Sequence, residues 1–114
     1  MKRGEIYLAS LNPKKGDEIG KIRPVLIYQS DILNSVGHTT TIVIPLSTKL
    51  IDDTYPLRYR IEKRQALDHD SDIVIDQIRS IDNQRLTSSA IASLHPYEMD
   101  DIDSMVSIVL GIKK

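Results

Sequence analysis

A chain of 114 residues with 40% apolar side chains and no cysteine is long enough for one hydrophobic core, and it has no use of disulfides, thiolate zinc or a thiol nucleophile. Its 15 Lys+Arg stand against 16 Asp+Glu, and a net charge of −1 argues against a protein that grips duplex nucleic acid by bulk charge. No apolar run approaches the ~20 residues of a membrane span, and the start MKRGEIYLAS puts Glu5 where a signal peptide needs an apolar stretch. The reading is therefore one domain over residues 1–114, cytoplasmic and off the membrane.

Isoleucine outnumbers leucine, and Phe and Trp are absent. Stiff β-branched side chains of this kind fit a pleated surface better than a helix. In chain order, GEIYLAS (4–10) sets Ile6 and Leu8 on one face, and RPVLIYQ (23–29) is a more continuously apolar run; both read as strands. Between them NPKKGDEIGKI carries Pro13, Gly16 and Gly20 as breakers, with Lys14, Lys15 and Lys21 as charges. That connection exceeds a bare hairpin turn, and long loops in small domains are more often functional. TTTIVIPLS (39–47) is a third strand, followed by the loop TKLIDDTYP. LRYRIE then alternates Leu57, Tyr59 and Ile61 against Arg58, Arg60 and Glu62, the period of a half-buried strand. LDHDSD supplies turn chemistry, and DIVIDQIRSID reads as a strand running into a short turn or a further strand.

The C-terminal stretch changes period. Pro96 suits a first helical position, and Glu98, Asp100, Asp101 and Asp103 crowd the start, where the helix dipole favours anions. Met99, Ile102, Val106 and Val109 fall on one stripe, which Met105, Ile108, Leu110 and Ile112 widen to roughly 200°. The extra width fits either a second burial, as in a dimer interface, or full coverage inside one small domain. Short strands joined by connections too short for crossover helices, plus one terminal helix, predict a mainly β, mostly antiparallel, strongly curved or barrel-like sheet with a helix packed on it.

Among chemistry-bearing residues, His38, His69 and His95 are far apart and form no paired-imidazole motif, so neither a metal site nor a two-histidine nuclease follows from spacing. No serine sits in a glycine-flanked elbow, and DHDSD lacks the glycine and distal glutamate of a calcium loop. Neither metal nor cofactor is expected. Arg23 begins an apolar strand directly after the basic loop, where its fork could hold a phosphate or simply pair with Asp17 or Glu18. Ser47 and Thr48 end the third strand. Asp76, with Gln77 and Arg79 after it, either faces solvent by alternation along Asp72, Val74 and Asp76 or lines a site.

RGEIYLASLNPKKGDEIGKIRPVLIYQSD resembles the opening of the MazF/PemK toxin family, Kid-type members included. The usual form there is a GEIW-type strand, a DP-x-x-G-x-E loop and RPVLV. IVIPLST resembles the next block of that family, and DQIRSIDNQRL the D-Q-x-[RK]-[ST]-I-D block further on. The three stand in order and cover nearly the whole chain. The resemblance implies an SH3-like small barrel of the CcdB/PemK type, a homodimer, and the toxin of a type II toxin–antitoxin pair with a MazE-like antitoxin as partner. It also implies a metal-independent, sequence-specific endoribonuclease that cuts single-stranded RNA, chiefly messenger RNA, leaving a 2′,3′-cyclic phosphate and a 5′-hydroxyl.

Carried over position by position, Arg23 matches the family's catalytic arginine, Ser47 stands where many members have a catalytic threonine, Glu18 matches a loop carboxylate, and Asp76 an acidic residue implicated in some members. Asp17 stands where some Kid-like enzymes carry a histidine and Val74 where they carry an arginine, so their acid/base scheme does not transfer unchanged. Self-cleavage of RNA needs a base, donors for the phosphorane and an acid for the leaving 5′-oxygen. Arg23 and the Ser47 hydroxyl supply donors, Glu18 or Asp76 the carboxylate base, and the acid stays open between Arg23 and water. Lys14, Lys15, Asp17, Lys21, Thr48, Gln77 and Arg79 are the candidate RNA contacts, with Tyr28 as a base-stacking platform. Residues 1–25 carry six basic and three acidic side chains, so the overall balance hides a local basic loop. The competing expectations are a CcdB-like, non-enzymatic inhibitor of DNA gyrase and an inactive SH3-like interaction module.

Overall fold

The structure, a computed structural model, describes residues 1–112. Strands β1 (Glu5–Ser10), β2 (Ile22–Ile27) and β3 (Thr40–Ser47) are followed by β4 (Arg58–Ile61), β5 (Ser71–Val74), β6 (Arg79–Asp82) and the two-residue β7 (Ala92–Ser93). A five-residue helix α1 (Asp31–Ser35) links β2 to β3, and α2 (Pro96–Val109) ends the chain. Every strand pairing is antiparallel, in the order β4-β5-β3-β2-β1-β7, with β6 on the first half of β3. β3 thus changes partner along its length, from β6 at Thr40–Val43 to β5 at Leu46–Ser47. The curved antiparallel sheet with a terminal helix is as expected; among the described residues the strand path is a half-barrel that ends at β4 and β7.

The continuous apolar reading of β2 has its cause in this layout. Along Val25–Ile27 and Val43–Leu46 the central strands are covered on both faces, so neither set of alternating side chains meets water there. Ile6, Leu26 and Ile44 stand in register across β1, β2 and β3 and meet Ile102, Met105 and Val106 of α2 in one core. Ala9, Val25, Ile27 and Val43 point the other way, into a second core with Leu11 and Ile81. Arg23 lies two residues from Val25 on that second face, where the core gives way to the β1–β2 loop.

Three sequence expectations are corrected. Leu57 precedes β4 and is exposed, because its N–H closes a turn to the Thr54 carbonyl before the strand begins. Asp72 is 1% exposed and not solvated, because the register sets Arg60 of β4 opposite it and Arg58 two residues away. α2 starts at Pro96 as predicted but stops at Val109, so Leu110 and Ile112 lie past the helix in a turn that Gly111 closes at φ 74°. The buried face of α2 is Met99, Ile102, Met105 and Val106, and the surplus apolar width gathers at its C-terminal end, where Ile108, Leu110 and Ile112 are exposed. Among the described residues no helix is long and apolar enough to cross a membrane.

Candidate active site

The β1–β2 connection folds back on its own base: the Leu11 N–H donates to the Lys21 carbonyl at 2.8 Å and the Glu18 N–H to the Lys15 carbonyl at 3.0 Å. Between this loop and the end of β3 lies an open groove of about 530 Å³, lined by Asn12, Lys14, Asp17, Glu18, Ile19, Gly20, Lys21, Arg23 and Lys49. A second depression of about 280 Å³ shares Lys21 and Arg23 and adds Pro24, Leu46, Thr48 and Ser71. Arg23 stands on the divide between the two. It is half-buried, and its Nε donates to the Gly20 carbonyl at 2.7 Å. Among the described residues none of Lys14, Glu18, Lys21, Arg23 and Lys49 has an oppositely charged group within ion-pair distance, so the sequence-level pairing of Arg23 with Asp17 or Glu18 does not form.

The register explains why strand ends meet here. β2 and β3 pair through Val25 and Pro45, and two residues outward along each strand stand Arg23 and Ser47, on the same face and at the same end of the ladder. Ser47 is 8% exposed, and its Oγ accepts the Lys49 N–H at 3.2 Å, which turns Thr48 and Lys49 out toward the groove. Thr48 lines the smaller depression and Lys49 the larger.

The second half of the predicted set is only partly brought in. Gln77, in the 3-10 turn Ile75–Gln77, accepts the Ile19 N–H through Oε1 at 3.4 Å and so touches the loop. Arg79 pairs with Val43 and is half-buried, whereas Asp76 is exposed on the turn and lines neither depression. Lys15 also lies outside the groove lining.

Tyr28 is a correction. Its hydroxyl donates to Asp103 Oδ1 at 2.6 Å, the Arg3 guanidinium sits 4.6 Å over its ring, and the ring packs against the α2 core. Burial, and then the bond to Asp103, push its phenol up to about 12. With the Arg3 cation over its ring and the α2 core packed against it, Tyr28 belongs to the seam between sheet and helix and lines neither depression.

Sequence reasoning gave no role to Asn12 or Lys49, read Gly20 only as a breaker, and set Asp72 only in an alternation toward solvent. Asn12 precedes Pro13 at the start of the loop, which was the available signal for a turn-forming side chain. Asp72 had none, because its partners come from another strand. Its Oδ1 accepts Arg60 Nε at 2.9 Å and its Oδ2 the Ile51 N–H at 2.9 Å and Arg58 Nη1 at 3.3 Å. Burial alone would raise the Asp72 carboxyl, but Arg60, the Ile51 N–H and Arg58 outweigh it and hold it below the ordinary carboxylate range. Since Arg58 also donates to the Lys49 carbonyl at 3.0 Å, this cluster anchors the segment that walls the groove. Among the described residues no three His, Asp or Glu side chains converge as metal ligands would.

The arrangement is an open, mixed-charge groove with one half-buried guanidinium at its floor, suited to a short anionic chain rather than to an enclosed small molecule. Residues 2–110 match the family described as the PemK-like, MazF-like toxin of type II toxin–antitoxin systems. The chain is 39% identical over 113 residues to Endoribonuclease EndoA of Bacillus subtilis, covering 98% of this chain and 96% of that one. It is 37% identical over 113 residues to Endoribonuclease MazF of Staphylococcus saprophyticus, covering 98% and 92%. Among solved structures, MazF from Deinococcus radiodurans superposes with a TM-score of 0.79 at 18% identity, over 97% of this chain and 96% of that chain, a likeness of fold. A MazE–MazF structure from the same organism gives 0.75 at 18% identity, over 99% and 97%.

Proposed function

We propose a catalytic role for Arg23 on the premise that the chain belongs to the PemK-like, MazF-like toxin family of type II toxin–antitoxin systems. The protein is an endoribonuclease toxin that cuts single-stranded RNA in the groove between the β1–β2 loop and the end of β3. The observation that carries this is Arg23 itself: Nε bound to the Gly20 carbonyl and, among the described residues, no carboxylate within ion-pair distance of the rest of its guanidinium.

In the reaction the ribose 2′-oxygen attacks the adjacent phosphorus, its proton passes to the Glu18 carboxylate, and the P–O5′ bond breaks. The 2′,3′-cyclic phosphate and the 5′-hydroxyl are the products. Charge grows on the equatorial oxygens of the phosphorane, where donors fixed in advance are worth most. Arg23 supplies them, with the Thr48 hydroxyl at the strand end beside it, while the buried Ser47, which lines neither depression, holds the turn that presents Thr48 and leaves its own hydroxyl proton as a second donor from behind. Because the groove is open, the leaving 5′-oxygen takes its proton from water. Lys14, Lys21 and Lys49 track the backbone on either side. A few local cations suffice for a short single strand, so a net charge of −1 is no obstacle. Residues 1–114 form the single toxin domain, which works as a homodimer in the cytoplasm, where messenger RNA is the substrate. A MazE-like antitoxin with an acidic segment competes with RNA for the groove.

The test is incubation of purified protein with a long single-stranded RNA in EDTA and mapping of the ends. A few discrete cuts with 2′,3′-cyclic phosphate termini are expected, and none from Arg23→Ala. Undiminished cutting by that variant overturns the site; intact RNA together with blocked DNA supercoiling replaces the activity with a gyrase-inhibitor reading.

A further inference from the structure

The geometry points to Asn12 and Arg85 as positioning residues for Arg23, a reading that rests on the groove being the site of cleavage. The Gly20 carbonyl that takes Arg23 Nε belongs to a loop with no regular structure, and a guanidinium is only as well placed as the oxygen that holds it. Four hydrogen bonds brace the limbs of the loop that carry that oxygen.

Arg85, in the 3-10 turn Asn83–Arg85, donates through Nη1 to the Ser10 carbonyl at 3.1 Å and to the Asn12 carbonyl. It thereby ties off the end of β1, beyond the Ala9–Leu86 bridge. Asn12 Oδ1 in turn accepts the Lys21 N–H at 2.8 Å, while the Lys21 carbonyl accepts from Leu11. Lys21 stands at φ 68°, a left-handed conformation that a lysine keeps only when its surroundings hold it. Between these two lies Gly20, where a Cβ would come 2.7 Å from Lys14 Cβ and 3.2 Å from Asn12 Oδ1. Only glycine passes so close to the opposite limb of the loop. The brace therefore runs from Arg85 to the Asn12 backbone, from the Asn12 side chain to Lys21, and through the adjoining Gly20 carbonyl to Arg23 Nε. With Nε committed, the plane of the guanidinium is set, and the four N–H bonds of Nη1 and Nη2 remain for phosphate oxygens. Neither Asn12 nor Arg85 touches the scissile phosphate in this scheme; both act through the loop.

The experiment uses the full chain and an RNA oligonucleotide spanning one mapped cleavage site. A displacement of the catalytic fork by about 1 Å costs up to ~100-fold in rate, so Asn12→Ala is expected to lower kcat by about 10- to 100-fold with KM changed by less than about threefold. Asn12→Asp restores the acceptor and is expected to recover most of kcat, its added charge falling on KM. Arg85→Lys is expected to exceed Arg85→Ala in the same way. A readout independent of cleavage is exchange of the Arg23 Nε–H with solvent by 15N NMR: slow in the natural sequence, faster in Asn12→Ala, slow again in Asn12→Asp. Should Arg85→Ala fail to fold, the Asn12 pair carries the test alone. Asn12→Ala with undiminished kcat and an unchanged Nε–H overturns the brace even where Arg23→Ala is inactive. An active Arg23→Ala refutes the catalytic site instead, while the exchange measurement still reports on the brace.

Discussion

The seam beneath α2 and the groove beside β1–β2 both hold many charges, and they use them in opposite ways. Under α2 the charges are spent on one another. Arg64 grips Glu98 with two parallel bonds of 2.5 and 2.9 Å, and Glu98 also takes the His95 N–H at 2.8 Å. Asp103 takes Arg3 at 2.5 Å and Tyr28 at 2.6 Å, and Asp101 takes Tyr59 at 2.7 Å. The acidic crowd at the start of α2, which sequence reading assigned to the helix dipole, is thus largely a docking set for the sheet. Among the described residues Lys14, Lys21, Arg23 and Lys49 of the groove have no such partners, and Arg23 donates through Nε alone. Charges left unpaired next to one another must be neutralised by solvent or a ligand, and a phosphate chain along this groove is the ligand proposed above.

If that contrast is real, the two regions break in different currencies. Arg23→Ala should lower the cleavage rate by about 100- to 1,000-fold, the scale of losing a main donor to a developing oxyanion, with the thermal midpoint barely moved. Glu98→Ala should do the reverse. Removing the buried Glu98 strands the half-buried Arg64 guanidinium and the His95 N–H, which costs up to about 3–5 kcal/mol, a fall of up to roughly 10–20 °C in Tm, while whatever protein remains folded cuts at its usual rate. Calorimetry and a single-turnover assay on both variants decide it; a destabilised Arg23→Ala or an inactive but fully stable Glu98→Ala would dissolve the distinction.

How much of this the sequence could show depends on the range of the interaction. Alternation and breakers located β1, β2, β3 and the long loop because those signals are local, and Pro96 with its stripe located α2 for the same reason. Helix α1 escaped notice: it is one turn long, is capped only by the Ser30 side chain on the Ile32 N–H, and buries no residue to leave a pattern. Period-2 reasoning failed at Asp72 because alternation says which side chains share a face, not whether that face is covered. The stacking role expected of Tyr28 failed for another reason: its partners Arg3 and Asp103 lie at opposite ends of the chain. For the groove, the sequence placed Lys14, Glu18 and Arg23 near one another through a single loop, yet Lys49 enters only through the Ser47 turn at the end of β3.

A pH series gives the next smaller effect and acts on the paired region. Burial opposes ionisation of Glu98, but Arg64 and the His95 N–H outweigh it, and the carboxyl sits below its ordinary range, as does Asp72. A depressed carboxylate pKa adds stability that is complete above the unfolded value of about 4 and is lost as pH falls through the folded value. Tm should therefore be level from neutrality to about pH 5 and drop below about pH 4, and Glu98→Gln should flatten the drop. At the other limit burial raises Tyr28 to about 12, so stability should start to fall as pH rises past about 10, the unfolded value. A Tm that rises as pH falls below about 5 would contradict the carboxylate assignments, and a Tm that stays level from about pH 10 to 12 would contradict that of Tyr28.

The smallest effect expected is also the most specific to the groove. A lysine that meets a phosphate releases a counterion when RNA binds, so each such contact adds about 0.7 to the slope of log affinity against log salt for a single strand. Lys14 and Lys49 line the groove from its two walls, one on the β1–β2 loop and one after β3, whereas Lys15 does not line it. Lys14→Ala and Lys49→Ala should each weaken binding of a non-cleavable RNA a few-fold and lower the slope by about 0.7, whereas Lys15→Ala should lower it by less. Equal losses at all three positions would mean that the basic loop acts as a diffuse charge, and that the groove between Arg23 and the end of β3 does not set the path of the strand.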